Sequence, residues 1–594
     1  MASTSPVVHL AIEAGIAIIT IDSPPVNALS QAVREGLFEA LSRALADDAA
    51  RAIVILCAGR TFIAGADIKE LGKPKQPPRL LDIQDRIETA PKPIIAAMHG
   101  AALGGGLELA LCAHYRLATP STKLGLPEVM LGLLPGAGGT QRLPRAIGVS
   151  AALEWMTSGR HVTAVEALHA GLLDAVVEAE LKAEAIAFAQ RISDGTRPLR
   201  RVRDDASKLA LPDPGQFFAR FRKDHRALLA GYKAPEAIIQ SVEAAVRLDW
   251  NAAIETERRL FAMLLETPEA AAQRYGFTAE RRSRTFADVE PGPGSAEPSR
   301  VMLVGDGPLA AEARHILGQK GCLVRTRVRS ASDPRETQQP PNVILLAGAT
   351  EREKADALEM QGQRGGAILE MAEPPQAWSN DGAPNGASAV ICMFLHKPVG
   401  EKRLLEVRRG YDQHPTSLAA AFALGRLLNA TAVAVGADGP LPSHRLLMRI
   451  HAEIERCCRE HISVERVDHL LDRFGLHPRF LKPKLARTLP NRTIDTQRDE
   501  DILAEILHPL VDESVRLIAE GLVRRGCDID MIWLNGLGWP PYRGGALWYG
   551  DHIGPQKILT TLSGLTARRG GYHPSPLLTA AAISGAKLTD LGAA

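Results

Sequence analysis

Strand-like and helical patterns of apolar and polar positions alternate along the first two hundred residues. Residues 7–21 read as two strands broken at Glu13-Ala14-Gly15, 31–46 as an amphipathic helix, 52–58 as a buried strand and 93–98 as another. That is an α/β pattern. From about residue 193 to 284 it turns to long helices rich in Ala, Glu and Arg, with a break at Pro212 and Pro214. The stretch VEPGPGSAEPSR, residues 289–300, reads as a linker, because Pro and Gly oppose both helix and ladder formation. A fresh strand at 301–304 opens a second α/β unit that extends to about Gly410, and after it the pattern predicts helices at 417–430, 446–460 and 501–525.

Length and composition set outer bounds on this picture. At 594 residues the chain is too long for one core, so two to four domains are expected. The formal charge of +2 leaves no field that would gather nucleic acid or an anionic membrane, although small anionic ligands fit. Seven cysteines without a C-x-x-C pair argue against a disulfide framework or a zinc site, so no metal is expected. No apolar run has membrane-spanning length, and MASTSPVVHL lacks the segments of a signal peptide. The terminal LGAA is not the peroxisomal tripeptide, and the expected compartment is the cytoplasm.

Candidate chemistry begins with HGAALGGGLELALC, residues 99–112. Gly104, Gly105 and Gly106 precede a helix expected to begin at 107–112, where free N–H groups and the positive end of the helix favour a developing anion. Glu108 falls in its first turn. A second acid lies in GLPEVMLGLLPGAGGTQR, residues 125–142, where Pro127 suits the first position of a short helix and Glu128 follows it. Two carboxyls among apolar neighbours suggest paired acid/base chemistry. In FIAGADIKEL, residues 62–71, Gly65 and Ala66 sit at a turn from which another N–H could point inward.

These three segments resemble the crotonase (enoyl-CoA hydratase/isomerase) superfamily over roughly residues 8–195. The resemblance implies that the amides of Ala66 and Gly105 bind the oxygen of an acyl-CoA thioester. It also implies that Glu108 activates water for the β-carbon and that Glu128 gives a proton to the α-carbon. Asp67 and Lys69 would lie near the CoA, and hydration would need no cofactor. Double-bond isomerisation through Glu128 is an implied side activity.

In the second half, VMLVGDGPLAAEARHILGQKG carries Gly305, Gly307 and Ala310 on a dinucleotide-turn spacing. With MFLHKPVGEKRLLEVRRG (393–410) and LGWPPYRGGALWYGD (537–551), it resembles the 3-hydroxyacyl-CoA dehydrogenase part of multifunctional fatty-acid β-oxidation enzymes. The resemblance implies a crotonase domain over 1–195, a helical extension and linker over 196–298, a Rossmann-like domain over 299–410, and two helical dehydrogenase-like domains over 411–495 and 496–594. It also implies a monomer, because in the fused family a helical region covers the surface through which isolated crotonase domains associate.

The chain departs from the family's hydride-transfer pattern. Glu406 stands at the family's glutamate, but Phe394 occupies the place of the general-base histidine, and His396 lies two residues on, displaced by about 7 Å. Asp306 puts a negative charge in the nucleotide turn, Pro308 removes an N–H from it, and CLVRTRVRS has arginines where an acid should hold the ribose. The expectation is therefore a hydratase whose NAD-type half is silent. Two readings stay open beside it: a hydratase and NAD-dependent dehydrogenase on one chain, and a non-catalytic acyl-CoA-binding scaffold.

Overall fold

The computed structural model describes the chain apart from residues 1–6, 68–69, 71, 75, 194–198, 285–297, 327–340, 365–366, 375–389, 400–401, 410–414, 460–461, 477–497, 571 and 593–594. Lys69, most of the expected 289–300 linker and the later arginines of CLVRTRVRS lie outside the described residues. Two compact units divide the chain, Met1–Ala271 and Ala272–Ala594. The multidomain α/β architecture is the one expected.

The first unit holds a six-stranded sheet made of β1 (Val8–Glu13), β2 (Ile16–Ile21), β3 (Ala52–Cys57), β4 (Ile94–Met98), β6 (Tyr115–Ala118) and β9 (Ala175–Val176), in that spatial order. Only the β1–β2 hairpin is antiparallel. A parallel sheet is covered on both faces and its strands are apolar throughout. Here Ile19, Ile55 and Ala96 enter the main core, while Ile16, Val54, Ile95 and Tyr115 face the helix Leu181–Ile192 on the other side.

Three short strands, β5 (Ala101–Leu103), β7 (Lys123–Gly125) and β8 (Val162–Thr163), form a second small sheet. The chain steps from β4 to β5 through Gly100, whose φ is 63°. A Cβ there would lie 2.1 Å from the Arg60 carbonyl oxygen, so only glycine permits this step. Strand β5 then leads into the three buried glycines Gly104, Gly105 and Gly106.

Helices Pro214–Asp224, Ala234–Arg247 and Trp250–Leu265 bury Phe218, Ile238 and Leu260 in the same main core. Burial of each such side chain is worth roughly 2 kcal/mol.

The second unit has a seven-stranded sheet built from β10 (Arg300–Val304), β11 (Leu323–Thr326), β12 (Val343–Ala347), β13 (Ala367–Ala372), β14 (Val390–Leu395), β15 (Arg403–Arg408) and β16 (Ala430–Val435). The order is β11-β10-β12-β13-β14-β15-β16, with β14 and β15 antiparallel. Strand β16 corrects the expectation of helices alone past Gly410. Its ATAVAV run is buried at every position, and Asn429, at φ 55°, turns the chain out of the preceding helix Pro415–Leu427.

Around helix Asp499–Ala519 a separate core gathers Trp533, Trp539 and Phe474, with Trp539 ring centroids 5.1 Å from both of the others. The LGWPPYRGG segment is a tight turn among packed helices. Asp530 accepts the N–H groups of Leu547 and Trp548, and a Cβ on Gly545 would strike the Asp530 carboxyl at 2.4 Å. No described helix is long and apolar enough to cross a membrane.

Candidate active site

Gly104 leaves β5 with φ 52° and ψ −128° and caps the helix Gly105–Ala110. The helix thus starts two residues earlier than expected, because the Glu108 N–H already bonds to the Gly104 carbonyl at 2.9 Å. Gly105 then offers the first free N–H of the helix. A Cβ built on Gly105 would sit 3.5 Å from the Ala66 nitrogen, so these two amides border the same small space. Neither N–H donates to another described residue. The partner turn is held by the Leu29 N–H on the Gly65 carbonyl at 3.0 Å, with Gly65 at φ 113°. Asp67 follows it, half-buried.

Glu108 is buried, and its Oε1 accepts N–H groups from Ala137 at 2.8 Å and Gly139 at 2.9 Å. Both partners are backbone donors. Glu128 sits in the 3₁₀ turn Pro127–Leu131. Its Oε1 lies 3.0 Å from where a Cβ on Gly104 would be, beside the Gly65 Cα, so the structure brings it to the same glycine entrance. Although the residue as a whole is half-buried, its Oε2 is sealed from solvent and has no hydrogen-bond partner. Burial, with the Glu108 charge second, pushes the Glu128 carboxyl well above the usual carboxylate range. Of the expected residues Ala66, Gly105, Glu108 and Glu128 therefore converge.

One carboxyl was not anticipated. Glu257, from helix Trp250–Leu265, is buried and accepts the N–H of Gly138 at 2.7 Å and of Thr140 at 3.2 Å. Burial and the neighbouring Glu108 raise it to about 8. The available signal was helical spacing: Glu257 lies on the apolar face formed by Ala253, Ile254, Leu260 and Leu264.

Behind the turn, Arg142 makes a two-point bond to Glu88, Nε to Oε1 at 2.8 Å and Nη2 to Oε2 at 2.7 Å, with both side chains buried. Its Nη1 also donates to the Ala137 carbonyl at 3.2 Å. Arg142→Met removes the two-point partner of the buried Glu88 and leaves it only the longer contact from Arg203 Nη1 at 3.5 Å. Urea denaturation should show a loss of about 3–5 kcal/mol. An unchanged midpoint would mean that the pair does not hold the turn.

In the second unit the glutamate does find a histidine. Phe394 is paired opposite Glu406 in the β14–β15 ladder and packs into the core. His396 Nε2 meets Glu406 Oε2 at 2.7 Å, and Ser443 N–H donates to Glu406 Oε1 at 3.1 Å. The expected displacement does not keep the pair apart. Residues two positions off the opposed pair share its face, and the long glutamate side chain spans the diagonal.

The nucleotide turn fits NAD poorly. Gly305 and Gly307 are at φ 105° and 111°, and the space beside Gly307 is open, as a cradle requires. However, Pro308 takes the first position of helix Pro308–Gln319 and presents no N–H there. Among the described residues β11 carries Arg325 and no acid. Ala310 is buried where that helix meets the sheet.

A family model for enoyl-CoA hydratase/isomerase matches residues 11–209. A solved structure titled as an enoyl-CoA hydratase, subunit I, from Geobacillus kaustophilus HTA426 is 31% identical, over 47% of this chain and 96% of its own, with a TM-score of 0.30. Residues 11–209 therefore form an enoyl-CoA hydratase/isomerase domain. The chain is an enzyme carrying that domain, and curated relatives follow it almost end to end. The peroxisomal bifunctional enzyme of Cavia porcellus is 28% identical over 93% of this chain and 94% of its own length. The peroxisomal fatty acid beta-oxidation multifunctional protein of Oryza sativa subsp. japonica is 25% identical over 95% of each. These names overturn the cytoplasmic expectation, since the relatives that span the chain are named peroxisomal.

Proposed function

We propose that the protein adds water to trans-2-enoyl-CoA to give 3-hydroxyacyl-CoA. The observation that carries this reading is the contrast between Glu108, on two N–H donors, and Glu128, sealed and without a partner, beside the amides of Ala66 and Gly105. Those amides receive the thioester oxygen and stabilise the enolate, a contribution of about 3 kcal/mol per donor. Glu108 takes a proton from water as its oxygen bonds to the β-carbon. Glu128 gives its proton to the α-carbon, so one proton enters the carboxyl pair and one leaves it. Isomerisation of an enoyl-CoA needs one base on the enolate face and is the side activity of Glu128. Asp67 and Lys69 are assigned to the CoA side of the site. The chain acts as a monomer, with its own helices 214–265 covering the core. Loss of enoyl-CoA absorbance on adding the protein tests the reading, and a protein that binds the thioester without consuming it would be the scaffold instead.

A second reading, hydratase and dehydrogenase on one chain, is favoured by the His396–Glu406 pair and opposed by the nucleotide turn. We assign the second unit no hydride transfer. Incubation with a 3-hydroxyacyl-CoA and NAD or NADP is expected to yield no reduced nicotinamide above the protein-free rate. Steady production that His396→Ala removes would establish the second reading.

A further inference from the structure

The turn Ala137–Thr140 gives its four successive N–H groups alternately to two acids, Ala137 and Gly139 to Glu108, Gly138 and Thr140 to Glu257. The two carboxyls therefore share four neighbouring peptides. Neither can move without turning the peptides that the other holds. Close packing removes the alternatives. A Cβ on Gly139 would lie 2.8 Å from Glu108 Oε1, and one on Gly138 would overlap the Arg142 guanidinium. Behind Glu257, the Thr140 hydroxyl bonds to its Oε2 at 2.5 Å and to the Ser241 hydroxyl at 2.7 Å. Gln141 Nε2 anchors both hydroxyls and the Ser241 carbonyl. Thr140, Gln141 and Ser241 are fully buried. Hydroxyl rotors can donate or accept, so this chain satisfies Glu257 with or without a proton.

We propose that Glu257 is a positioning residue of the hydration site, fixing the Ala137–Thr140 turn and thereby aiming two backbone N–H groups at Glu108. This rests on the hydratase reading. The charged and titratable groups facing Glu257 are Glu108, Glu128 and the Arg142 guanidinium, and the other packed elements present only neutral Thr140, Gln141 and Ser241. Three carboxyls in one buried place do not all ionise together. Glu257 therefore carries a proton at neutral pH and releases it as pH rises. Its charge then opposes the negative charge that grows on the substrate during addition.

The test compares kcat, KM and the pH profile of kcat/KM for the wild type, Glu257→Gln and Glu257→Ala. The glutamine keeps the shape and the neutral state. Its acid limb should coincide with the wild type, because Glu257 is protonated there in both. The wild-type fall on the alkaline side, on the order of tenfold, should be lost. The alanine frees the turn, so kcat should drop by about tenfold or more while KM stays near the wild-type value, because the thioester's own contacts are untouched. If alanine unfolds the domain, the glutamine profile decides alone. Superimposable profiles and equal kcat, with Glu108→Gln inactive, would overturn the positioning role and spare the hydratase reading. An active Glu108→Gln would overturn both.

Discussion

Glu108→Gln and Glu128→Gln should each lower hydration by about 10²–10⁴-fold, and the double variant should fall little further. In the proposed reaction the two carboxyls act on one addition, so their effects are not expected to be independent. They differ in what else they disturb. In Glu108→Gln the amide oxygen still accepts the Ala137 and Gly139 N–H groups, so stability should change little. Glu128 Oε2 has no partner, and an amide put there buries donors with nothing to receive them, at a cost of about 1–3 kcal/mol. Thermal unfolding should separate the variants. A further distinction is isotopic: in deuterated water with 3-hydroxyacyl-CoA, Glu128→Gln should lose exchange at the α-carbon. If the double variant hydrates crotonyl-CoA at the wild-type rate, the assignment of the site fails.

The sequence showed the local elements more clearly than their meeting points. The helix Gln31–Ala46 and the hairpin β1–β2 were legible because side-chain periodicity along a short segment determines them. The run ATAVAV was not, since a short apolar stretch rich in alanine reads equally as helix or strand until a sheet edge claims it. Glu108 and Glu128 could be marked as candidates from their glycine-rich entries, but only the fold brings the second to the Gly104 turn. Glu257 is the instructive loss. It comes from a helix more than a hundred residues beyond the pair, in a stretch whose pattern reads as a helical extension, and an acid on an otherwise apolar helical face is the one local sign. His396 was visible, but its reach to Glu406 depended on side-chain length across a ladder diagonal.

The three consecutive glycines give the other large expectation, because the space around each differs. A Cβ on Gly106 would meet the Ile63 carbonyl oxygen at 2.2 Å and the Ile63 Cβ at 2.7 Å. Backbone cannot yield there, so Gly106→Ala should compromise folding. Gly104 is held at φ 52°, where any side chain adds strain, and a methyl would press on the Glu128 carboxyl at 3.0 Å. Gly105 is the informative position. Its Cβ would find Leu29 Cδ1 at 3.3 Å and Leu80 Cδ2 at 3.6 Å, flexible ends that can shift by tenths of an ångström. Alanine also favours a helix over glycine by about 1 kcal/mol. Gly105→Ala should therefore fold as well as the wild type or better. Yet its methyl would stand 3.5 Å from the Ala66 nitrogen, in the space that a thioester oxygen must enter to lie about 2.7–3.1 Å from both amides. Hydration should fall by about 10²–10³-fold with no loss in melting temperature. A stable Gly105→Ala protein with wild-type kcat would show that the oxygen binds elsewhere, and the chemistry assigned to Glu108 and Glu128 would then lack the enolate it requires.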